Sequence, residues 1–433
     1  MSEPVAPPSP QSVMLVGVSL PHIPVWEAED SLDELSRLAH TATLREGARL
    51  LQNRERVDPT YYIGKGKAEE LKPLAESCGA DLVVFDNDLS AAQMRNLEKL
   101  SGLRILDRSG LILDIFALHA RTHTAQLQVE LAQLNYLMPR LTRQWSHLSR
   151  QAGGGAIRGM GAVGVRGPGE TQLEIDRRLI RRRISELNLK LKRISGQLAI
   201  SRKSRRQEFK VALVGYTNAG KSTLMRALSG AQVLIADQLF ATLDSTTRAV
   251  ELDQGRKILL TDTVGFIRRL PHHLFASFHA TLEEAIQADL LLHVVDMSHP
   301  HYEQQKDTVD EVLRELGIED KPTLVVYNKI DRIDKAEEER LARHYAQQPG
   351  IVAVSALSGV GLDLLREKVL FYGQEEEVTV DLHIPQQEGR LLSQLHHQGE
   401  VLTQAFANDQ VHLRVRLDRS WVRRWHLERF VPA

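Results

Sequence analysis

The sequence predicts an α/β protein in which a central domain is built around a phosphate-binding loop. The apolar run Val211–Val214 leads directly into a glycine-bounded loop and a helix. Short apolar runs alternate with helix-like stretches before it, and two long amphipathic stretches follow them. We therefore expect a disordered leader (1–10), an N-terminal α/β unit (11–108), a long antiparallel helical hairpin (109–208) with a glycine-rich tip (about 151–169), the central domain (209–373) and a small C-terminal α/β appendage (374–433).

Composition is that of an ordinary globular protein. The 433 residues are 42% hydrophobic and 26% charged, and no apolar run approaches the length of a membrane span. The first ten residues hold four prolines and lack the apolar core of a signal peptide. Cys78 is the single cysteine, which excludes a disulfide framework. We expect a cytoplasmic monomer without stable membrane insertion.

The N-terminal unit shows buried-strand patterns at Val13–Val18, Asp81–Asp86 and Ile105–Leu106. Helical patterns cover Leu32–Leu51 and Lys67–Cys78. These elements predict a small α/β unit.

The Gly64-Lys65-Gly66-Lys67 segment of this unit has two interpretations. Exposed amides and two ammonium groups at a helix start could bind an anion. So short a segment is also typical of a turn followed by an ordinary helix start.

Two helical stretches predict the hairpin. One runs from Leu111 to Leu148, and the other from Leu173 to about Ser204 with an apolar stripe at near-heptad spacing. Between them, Gly153–Gly169 holds eight glycines in 17 residues, with Arg158 and Arg166. This composition predicts a cationic tip with accessible backbone.

Charge is concentrated around this hairpin. From Arg140 to Lys210 there are 18 Lys and Arg against 5 Asp and Glu, a net charge of +13 in a chain whose overall charge is −1. Such asymmetry indicates contact with a polyanion, whereas the alternative is a solvated helix face. The candidate RNA-binding residues are Arg158, Arg166, Arg177, Arg178, Arg181, Arg182 and Arg183.

The central loop reads Gly-Tyr-Thr-Asn-Ala-Gly-Lys-Ser. Inward-pointing N–H groups can cradle phosphates, the lysine can reach the β- and γ-oxygens, and the serine hydroxyl can bind Mg²⁺. A chance match in a surface loop is disfavoured by the strand before it and the helix after it. The predicted ligands are Gly215, Tyr216, Thr217, Asn218, Ala219, Gly220, Lys221 and Ser222.

The segment Asn328-Lys329-Ile330-Asp331 predicts which nucleotide base the central domain binds. It follows the apolar strand Thr323–Tyr327. The Asp331 carboxylate can accept two hydrogen bonds from guanine, whereas adenine would leave it unpaired at a cost in free energy. Ser355-Ala356-Leu357 follows another apolar strand and supplies a backbone cap over the base. GTP is favoured over ATP, and the central unit is predicted to be a P-loop GTPase domain.

Two further segments lie between these motifs. Asp262-Thr263-Val264-Gly265 ends an apolar strand, where the aspartate can hold the Mg²⁺ shell and the glycine N–H can meet the γ-phosphate. Phe240-Ala241-Thr242-Leu243-Asp244 offers Thr242 as a second metal-binding hydroxyl beside Ser222, although alone this segment could be an ordinary polar loop. The order of all these motifs resembles the translation-factor-related class of P-loop GTPases.

Phe266 stands where a glutamine would orient the attacking water. No certain catalytic side chain is therefore assigned. We therefore expect the protein alone to hydrolyse GTP to GDP and phosphate slowly, and a partner to accelerate the reaction.

The C-terminal appendage shows strands at Val378–Leu382 and Val411–Val415 and a helix from Gly389 to about Ala405. Its last residues leave two alternatives open, stacking on nucleic acid or docking on the appendage itself. They are Trp421, Arg423, Arg424 and Trp425.

Several long strings resemble the HflX family of GTPases. They are Gln128–Leu134, Pro139–Leu141, Arg166–Glu174 and Phe240–Asp244. The resemblance implies a cytoplasmic GTPase that binds the large ribosomal subunit and its RNA, places the hairpin tip near the peptidyl-transferase centre, and splits stalled or idle ribosomes under stress. It also implies hydrolysis stimulated by the ribosome.

Two departures from the family pattern stand out. The stretch Gly155–Gly164 lengthens the tip, and Ser245 replaces a usual proline after the Thr242 segment. Alternative functions are a ribosome-biogenesis or RNA-remodelling GTPase, and a regulatory GTPase without RNA contact, which the basic hairpin disfavours.

Overall fold

In a computed structural model, the described residues form three β-sheets and a long helical pair. The structure describes residues 11–141, 172–203, 208–230, 239–240, 245–252, 257–268, 282–348, 350–375, 377–407, 410–418, 422, 425 and 427–432. The predicted leader, the glycine-rich tip and residues 241–244 lie outside these residues. The α/β fold class is confirmed.

The N-terminal sheet is parallel, with strand order β2-β1-β3-β4. Its strand β1 is apolar and buried between helices on both faces, as parallel sheets require. The elements are β1 (Ser12–Ser19), α1 (Val25–Thr41), β2 (Arg45–Asn53), α2 (Lys65–Cys78), β3 (Leu82–Phe85), α3 (Ala91–Ser101) and β4 (Arg104–Asp107).

The helix predicted over Leu32–Leu51 is wrong in its second half. Helix α1 ends at Thr41, and the chain turns at Thr43, whose φ is +62°. The residues that follow form the edge strand β2, which pairs with β1. Arg, Glu, Ala and Leu favour helix locally, but pairing with β1 overrides that propensity.

The helix predicted over Leu111–Leu148 is interrupted in the structure. Helix α4 (Arg108–His119) ends before Thr122, whose hydroxyl accepts the Ala125 N–H at 3.1 Å and begins α5 (His123–Leu137). The predicted segment's last residues, 142–148, lie outside the described part.

Helix α6 (Gln172–Lys203) runs antiparallel to α5. Leu127 and Leu131 of α5 pack on the fully buried Leu187 of α6. Nearby, the Arg183 guanidinium makes two hydrogen bonds, of 2.7 and 2.9 Å, to the Glu130 carboxylate. The described residues therefore form the predicted antiparallel pair.

Arg140 fastens this pair to the N-terminal sheet. Its guanidinium donates to the Asp107 carboxylate at 2.8 Å and to the Leu89 carbonyl at 3.1 Å. It also lies over the Tyr136 ring, and the Tyr136 hydroxyl donates to Asp107 at 2.7 Å. Because Asp107 is fully buried, these bonds give the base of the hairpin a defined direction.

The central sheet has six strands in the order β10-β9-β8-β5-β7-β6, with only the edge strand β6 antiparallel among the described strands. Its helices cover both faces. The elements are β5 (Phe209–Gly215), α7 (Lys221–Ser229), β6 (Thr246–Glu251), β7 (Lys257–Asp262), β8 (Leu290–Asp296), α8 (Tyr302–Glu315), β9 (Thr323–Asn328), α9 (Lys335–Ala346), β10 (Ile351–Ala353) and α10 (Leu362–Glu375).

One hydrophobic core spans the N-terminal unit and the central domain. It joins Leu35 of α1 and Phe116 of α4 to Phe240 and Phe266 of the central domain. The Phe116 and Phe240 rings meet edge to face with centroids 4.8 Å apart. The two units are therefore packed together as one body at this face.

The C-terminal appendage is a three-stranded antiparallel sheet with its own core. It comprises β11 (Glu377–Pro385), α11 (Gly389–Gln398), β12 (Glu400–Ala407) and β13 (Gln410–Asp418). The helix predicted to reach Ala405 is wrong beyond residue 398, because Gly399 is extended and the next residues pair with β13.

The end of this appendage is only partly described. Trp425 packs against the appendage core, which agrees with docking rather than stacking for this residue. Trp421, Arg423 and Arg424 lie outside the described residues. None of the described helices has the length and apolar character needed to cross a membrane.

Candidate nucleotide-binding site

The phosphate-binding loop connects β5 to α7 at the carboxyl edge of the central sheet. Gly215 has φ +149°, and a Cβ there would lie 2.2 Å from the Val294 carbonyl oxygen. Gly220 has φ +93°, and its Cβ would lie 2.3 Å from the Asn328 amide nitrogen. Both positions therefore require glycine for the backbone path and for close packing.

Lys221 is the buried cation of this loop. Its ammonium donates to the Gly215 and Tyr216 carbonyls at 3.0 and 2.8 Å. Burial lowers its pKa from 10.5 to about 8, while Asp262 acts in the opposite direction and Lys329 adds to the lowering. A desolvated ammonium at the start of α7 is well placed to attract phosphate oxygens.

Ser222 and Asp262 meet beside the lysine. The Ser222 hydroxyl donates to the Asp262 carboxylate at 2.6 Å, and Asp262 is buried at the end of β7. A hydroxyl and a carboxylate are the hard oxygen donors that suit Mg²⁺, which keeps most of its ligands as water or phosphate. Thr242, the other predicted metal ligand, lies with Ala241, Leu243 and Asp244 outside the described residues.

The predicted base-binding residues are brought together by β9 and β10. The Asn328 amide donates to the Ala219 carbonyl at 2.9 Å, and its oxygen accepts the Ala356 N–H at 3.0 Å. The Ser355 hydroxyl donates to the Asp331 carboxylate at 2.5 Å. These bonds tie the base-binding loop to the phosphate-binding loop and orient Asp331.

Other residues of these motifs are buried in the domain, paired within it or exposed at its rim. Val264 and Ile330 are buried in the core, and Thr263 donates to the Leu213 carbonyl at 2.6 Å. Leu357 is 74% exposed at the rim of the base end. Lys329 has φ +64° and its ammonium lies 2.7 Å from the Asp296 carboxylate, a partner at the end of β8 that the sequence analysis missed.

Phe266 is buried, and its backbone is paired with the phosphate-binding loop. Its N–H donates to the Gly215 carbonyl at 3.1 Å, and its carbonyl accepts the Thr217 N–H at 2.7 Å. The neighbouring Gly265 is packed so closely that a Cβ there would lie 2.9 Å from the Lys221 ammonium. The Phe266 side chain belongs to the shared core and cannot orient a water molecule.

Tyr216 links the loop to the N-terminal unit, a role that the sequence analysis missed. Its hydroxyl donates to the Glu34 carboxylate at 2.5 Å and accepts the Arg268 N–H at 2.8 Å. Glu34 in turn pairs with the buried Arg108 at 2.7 Å. The only local signal in the sequence is an acidic residue on the apolar face of a helix, which is too weak to predict a partner so distant in the chain.

The predicted RNA-binding arginines differ in their surroundings. Arg158 and Arg166 lie outside the described residues. Arg178, Arg181 and Arg182 are exposed on α6, whereas Arg177 lies 3.5 Å from the Leu141 carbonyl. Arg183 is engaged by Glu130, as described above.

At the start of α2, the ammonium groups of Lys65 and Lys67 and the Gly64 N–H have partners within the N-terminal unit. The Gly64 N–H donates to the Gln52 side chain at 2.9 Å, and Lys67 pairs with Glu70 at 2.5 Å. Lys65 lies 3.9 Å from Glu69. This arrangement favours the interpretation as an ordinary helix start.

Comparison with known proteins gives three matches to family models. They are described as GTP-binding GTPase N-terminal (residues 29–117), GTP-binding GTPase Middle Region (119–205) and 50S ribosome-binding GTPase (210–329).

Curated relatives match over most of the chain. GTPase HflX of Escherichia coli is 44% identical over 391 residues, which are 90% of each chain. GTPase HflX of Magnetococcus marinus is 44% identical over 398 residues, which are 91% of this chain and 89% of the relative.

Among solved structures, a GTP-binding protein from Sulfolobus solfataricus in complex with GDP is 25% identical. It covers 84% of this chain and 99% of its own, with a TM-score of 0.42.

Proposed function

The chain belongs to the HflX family of GTPases, and we propose that it binds the large ribosomal subunit and uses GTP to split stalled or idle ribosomes. The observation that carries this proposal is the combination of a complete GTP-type loop with a buried Phe266 in place of a water-orienting side chain. Such a site needs an external group to complete it. The subunit is the proposed source of that group.

Nucleotide binding is assigned to the loop and strand ends described above. Lys221 and the loop amides hold the phosphates, and Asp331 accepts the guanine N–H groups while the Ala356 backbone caps the base. The Lys329 ammonium of the same loop is held by the Asp296 carboxylate at 2.7 Å.

Mg²⁺ fits the donor set of this site. Ser222 and Asp262 would hold it directly or through water, and Thr242 would add a second hydroxyl. When bound, the ion supplies charge that neutralises the phosphate oxygens in the transition state. The protein's own contribution is to hold the nucleotide and to exclude water from the buried lysine.

The subunit is proposed as the partner on two grounds. The family model that matches residues 210–329 is described as ribosome-binding. Helix α6 also presents exposed arginines such as Arg181 and Arg182, which suit the phosphates of ribosomal RNA. A cytoplasmic location follows from this partner.

The test is GTP turnover by the full chain with and without purified large subunits. We expect slow turnover alone and an increase of at least about tenfold with saturating subunits, since a missing positioning group is commonly worth more than that. Lys221→Ala protein serves as the control for contaminating activity. Equal turnover with and without subunits would contradict activation by the ribosome.

Sucrose-gradient sedimentation separates splitting from a role in biogenesis. Added protein and GTP should convert mature ribosomes to subunits if splitting is the function. Co-migration with immature particles, without any effect on mature ribosomes, would favour the biogenesis or RNA-remodelling alternative.

A further inference from the structure

Thr217, the third residue of the phosphate-binding loop, carries a buried hydroxyl that has no hydrogen-bond partner among the described residues. The residue is only 6% exposed. The polar groups around it are already paired, since the Thr217 N–H donates to the Phe266 carbonyl at 2.7 Å and the Lys221 ammonium donates to two loop carbonyls. A buried hydroxyl without a partner costs free energy, so its presence in this loop calls for an explanation.

The Thr217 side chain lies at the γ-phosphate end of the loop. A Cβ built on Gly265 would lie 2.9 Å from the Thr217 methyl carbon and 2.9 Å from the Lys221 ammonium nitrogen. The two side chains and Gly265 therefore meet at one point. Lys221 and the Gly265 N–H are the groups assigned to the γ-phosphate, so Thr217 lies beside the position where that phosphate would bind.

The same position adjoins the residue that lacks a water-orienting group. Phe266 follows Gly265 directly, and its backbone is bonded to both Thr217 and Gly215. Its side chain belongs to the hydrophobic core. The loop therefore places a polar side chain, that of Thr217, beside the segment in which a glutamine would otherwise orient the water.

We propose that Thr217 is a catalytic residue of GTP hydrolysis. Its hydroxyl donates to a γ-phosphate oxygen and accepts a hydrogen bond from the attacking water, which directs the water oxygen towards phosphorus. That oxygen bonds to the γ-phosphorus, the bond to the β–γ bridging oxygen breaks and leaves its electron pair on GDP, and both water protons depart with the phosphate. Thr217 keeps its own proton throughout. This inference rests on the proposed phosphate-binding role of the loop.

A single hydroxyl accounts for a slow reaction of the isolated protein. It positions the water but brings no positive charge to the transition state, so the group proposed from the large subunit is still needed for fast turnover. GDP has no γ-phosphate to accept from this hydroxyl, and it undergoes no attack by water. The predicted signature is thus a loss of hydrolysis with unchanged binding of GDP.

The test replaces Thr217 in two ways that remove the hydroxyl. Thr217→Val keeps the branched shape, and Thr217→Ala adds no methyl group in place of the hydroxyl. Single-turnover hydrolysis is measured for the full chain without subunits, at protein concentrations that saturate GTP binding, together with GDP affinity and thermal unfolding. We expect both variants to hydrolyse GTP at least about tenfold more slowly, a lower bound for the loss of one positioned donor.

The other two measurements separate catalysis from a structural role. The affinity of both variants for GDP should equal that of wild type. The unfolding temperature of Thr217→Val should not fall, because the hydroxyl that it removes has no partner in the free protein among the described residues. Thr217→Ser retains the hydroxyl and should restore most of the hydrolysis rate.

Thr261→Val in β7 is the matched control. Thr261 is also 6% exposed, but its hydroxyl is bonded to the Thr247 hydroxyl at 2.9 Å. Removing that bond should lower the unfolding temperature and leave the hydrolysis rate unchanged. The two valine variants should therefore show opposite effects on stability and on rate.

A wild-type rate in Thr217→Val or Thr217→Ala would overturn the proposal, and so would a Thr217→Ser rate as low as theirs. A loss of GDP affinity in parallel with the rate would also overturn it, since the side chain would then hold the loop rather than act on water. Failure of wild-type protein to bind any guanine nucleotide would instead refute the proposed site. Because no ribosome is used, the result stands apart from the test of the partner.

Discussion

The two ends of the nucleotide site are built differently. At the phosphate end, the loop residue Tyr216 bonds to Glu34 of another unit, 182 residues away in sequence. At the base end, Asn328, Asp331 and Ser355 bond to groups of the central domain itself, and Leu357 is exposed at the rim. We therefore expect changes in the N-terminal unit to affect phosphate binding, and base selection to depend on the central domain alone.

The two ends also differ in the kind of polar contact that supports them. Behind the phosphate end, Arg108, Glu34 and Asp86 are buried charges paired within the N-terminal unit, and Glu34 also accepts the Tyr216 hydroxyl of the central domain. The base end relies on short hydrogen bonds between neighbouring loops. Disturbing the first should therefore affect folding and phosphate binding together, whereas disturbing the second should affect selectivity alone.

The largest effect is expected at the phosphate end. Lys221→Ala should reduce the free energy of GTP binding by about 3 to 6 kcal/mol, since it removes about two charge-assisted hydrogen bonds to phosphate. Calorimetry with Lys257→Ala, an exposed lysine at the start of β7, provides the control. Wild-type affinity in Lys221→Ala would refute the assignment of the loop.

Arg108→Met tests the scaffold behind that end. It leaves Glu34 and Asp86 buried without their cation, so we expect the free energy of unfolding to fall by about 3 to 5 kcal/mol. Urea unfolding followed by circular dichroism measures it. Arg366→Ala breaks an exposed pair with Asp363 and should cost less than about 1 kcal/mol. Similar losses in the two variants would contradict the distinction between buried and exposed pairs.

Asp331→Asn tests the base end. The amide cannot accept both guanine N–H groups, so GTP affinity should fall by about 1 to 3 kcal/mol, and xanthosine triphosphate should bind better than in wild type. Asp334→Asn, a nearby exposed substitution, is the control. Unchanged discrimination among guanosine, xanthosine and adenosine triphosphates would argue against base recognition by Asp331.

The pH dependence of GTP binding tests the role of the Lys221 ammonium. Its pKa of about 8 means that the free protein loses this positive charge as pH rises above that value. Phosphate binding needs the ammonium, so a proton must be taken up, and affinity should fall by up to about tenfold per pH unit above 8. Calorimetry in buffers of different ionisation enthalpy should detect this uptake at pH 8.5. Binding without proton uptake there would contradict the lowered pKa.

Sequence patterns predicted the parts of the fold whose signals are local. Apolar runs located β1 and β3, and the glycine and lysine spacing located the phosphate-binding loop, because strand burial and anion binding both depend on adjacent residues. Strand β2 was mistaken for helix because its residues favour helix and only pairing with β1 makes it a strand.

The contact between units could not be predicted in the same way. Glu34 has ordinary local surroundings in the sequence, and its partner Tyr216 is set by how the N-terminal unit packs on the central domain. Arg183 is a similar case, since a basic helix indicates RNA binding but does not reveal which arginine is already paired with Glu130.

The smallest effect is expected for the arginines of α6. Some of them are exposed to solvent, whereas Arg183 is already paired with a carboxylate. Arg181 and Arg182 are exposed, so replacing both with glutamine should weaken binding to large subunits and lower its salt dependence by about 0.7 to 0.9 per lost phosphate contact. Arg183→Gln should leave the salt dependence nearly unchanged, because its guanidinium is held by Glu130.

Instead, Arg183→Gln should destabilise the helical pair by less than about 1 kcal/mol, since the Arg183 side chain is 38% exposed and solvent screens the pair. Co-sedimentation at several salt concentrations measures the first property and thermal unfolding the second. GTP binding should be the same in all these variants, because the part of α6 that holds these arginines packs on α5. If Arg183→Gln flattened the salt dependence as much as the double variant, the Glu130 pair would have to open on the ribosome, and α6 would bind RNA through its whole basic surface.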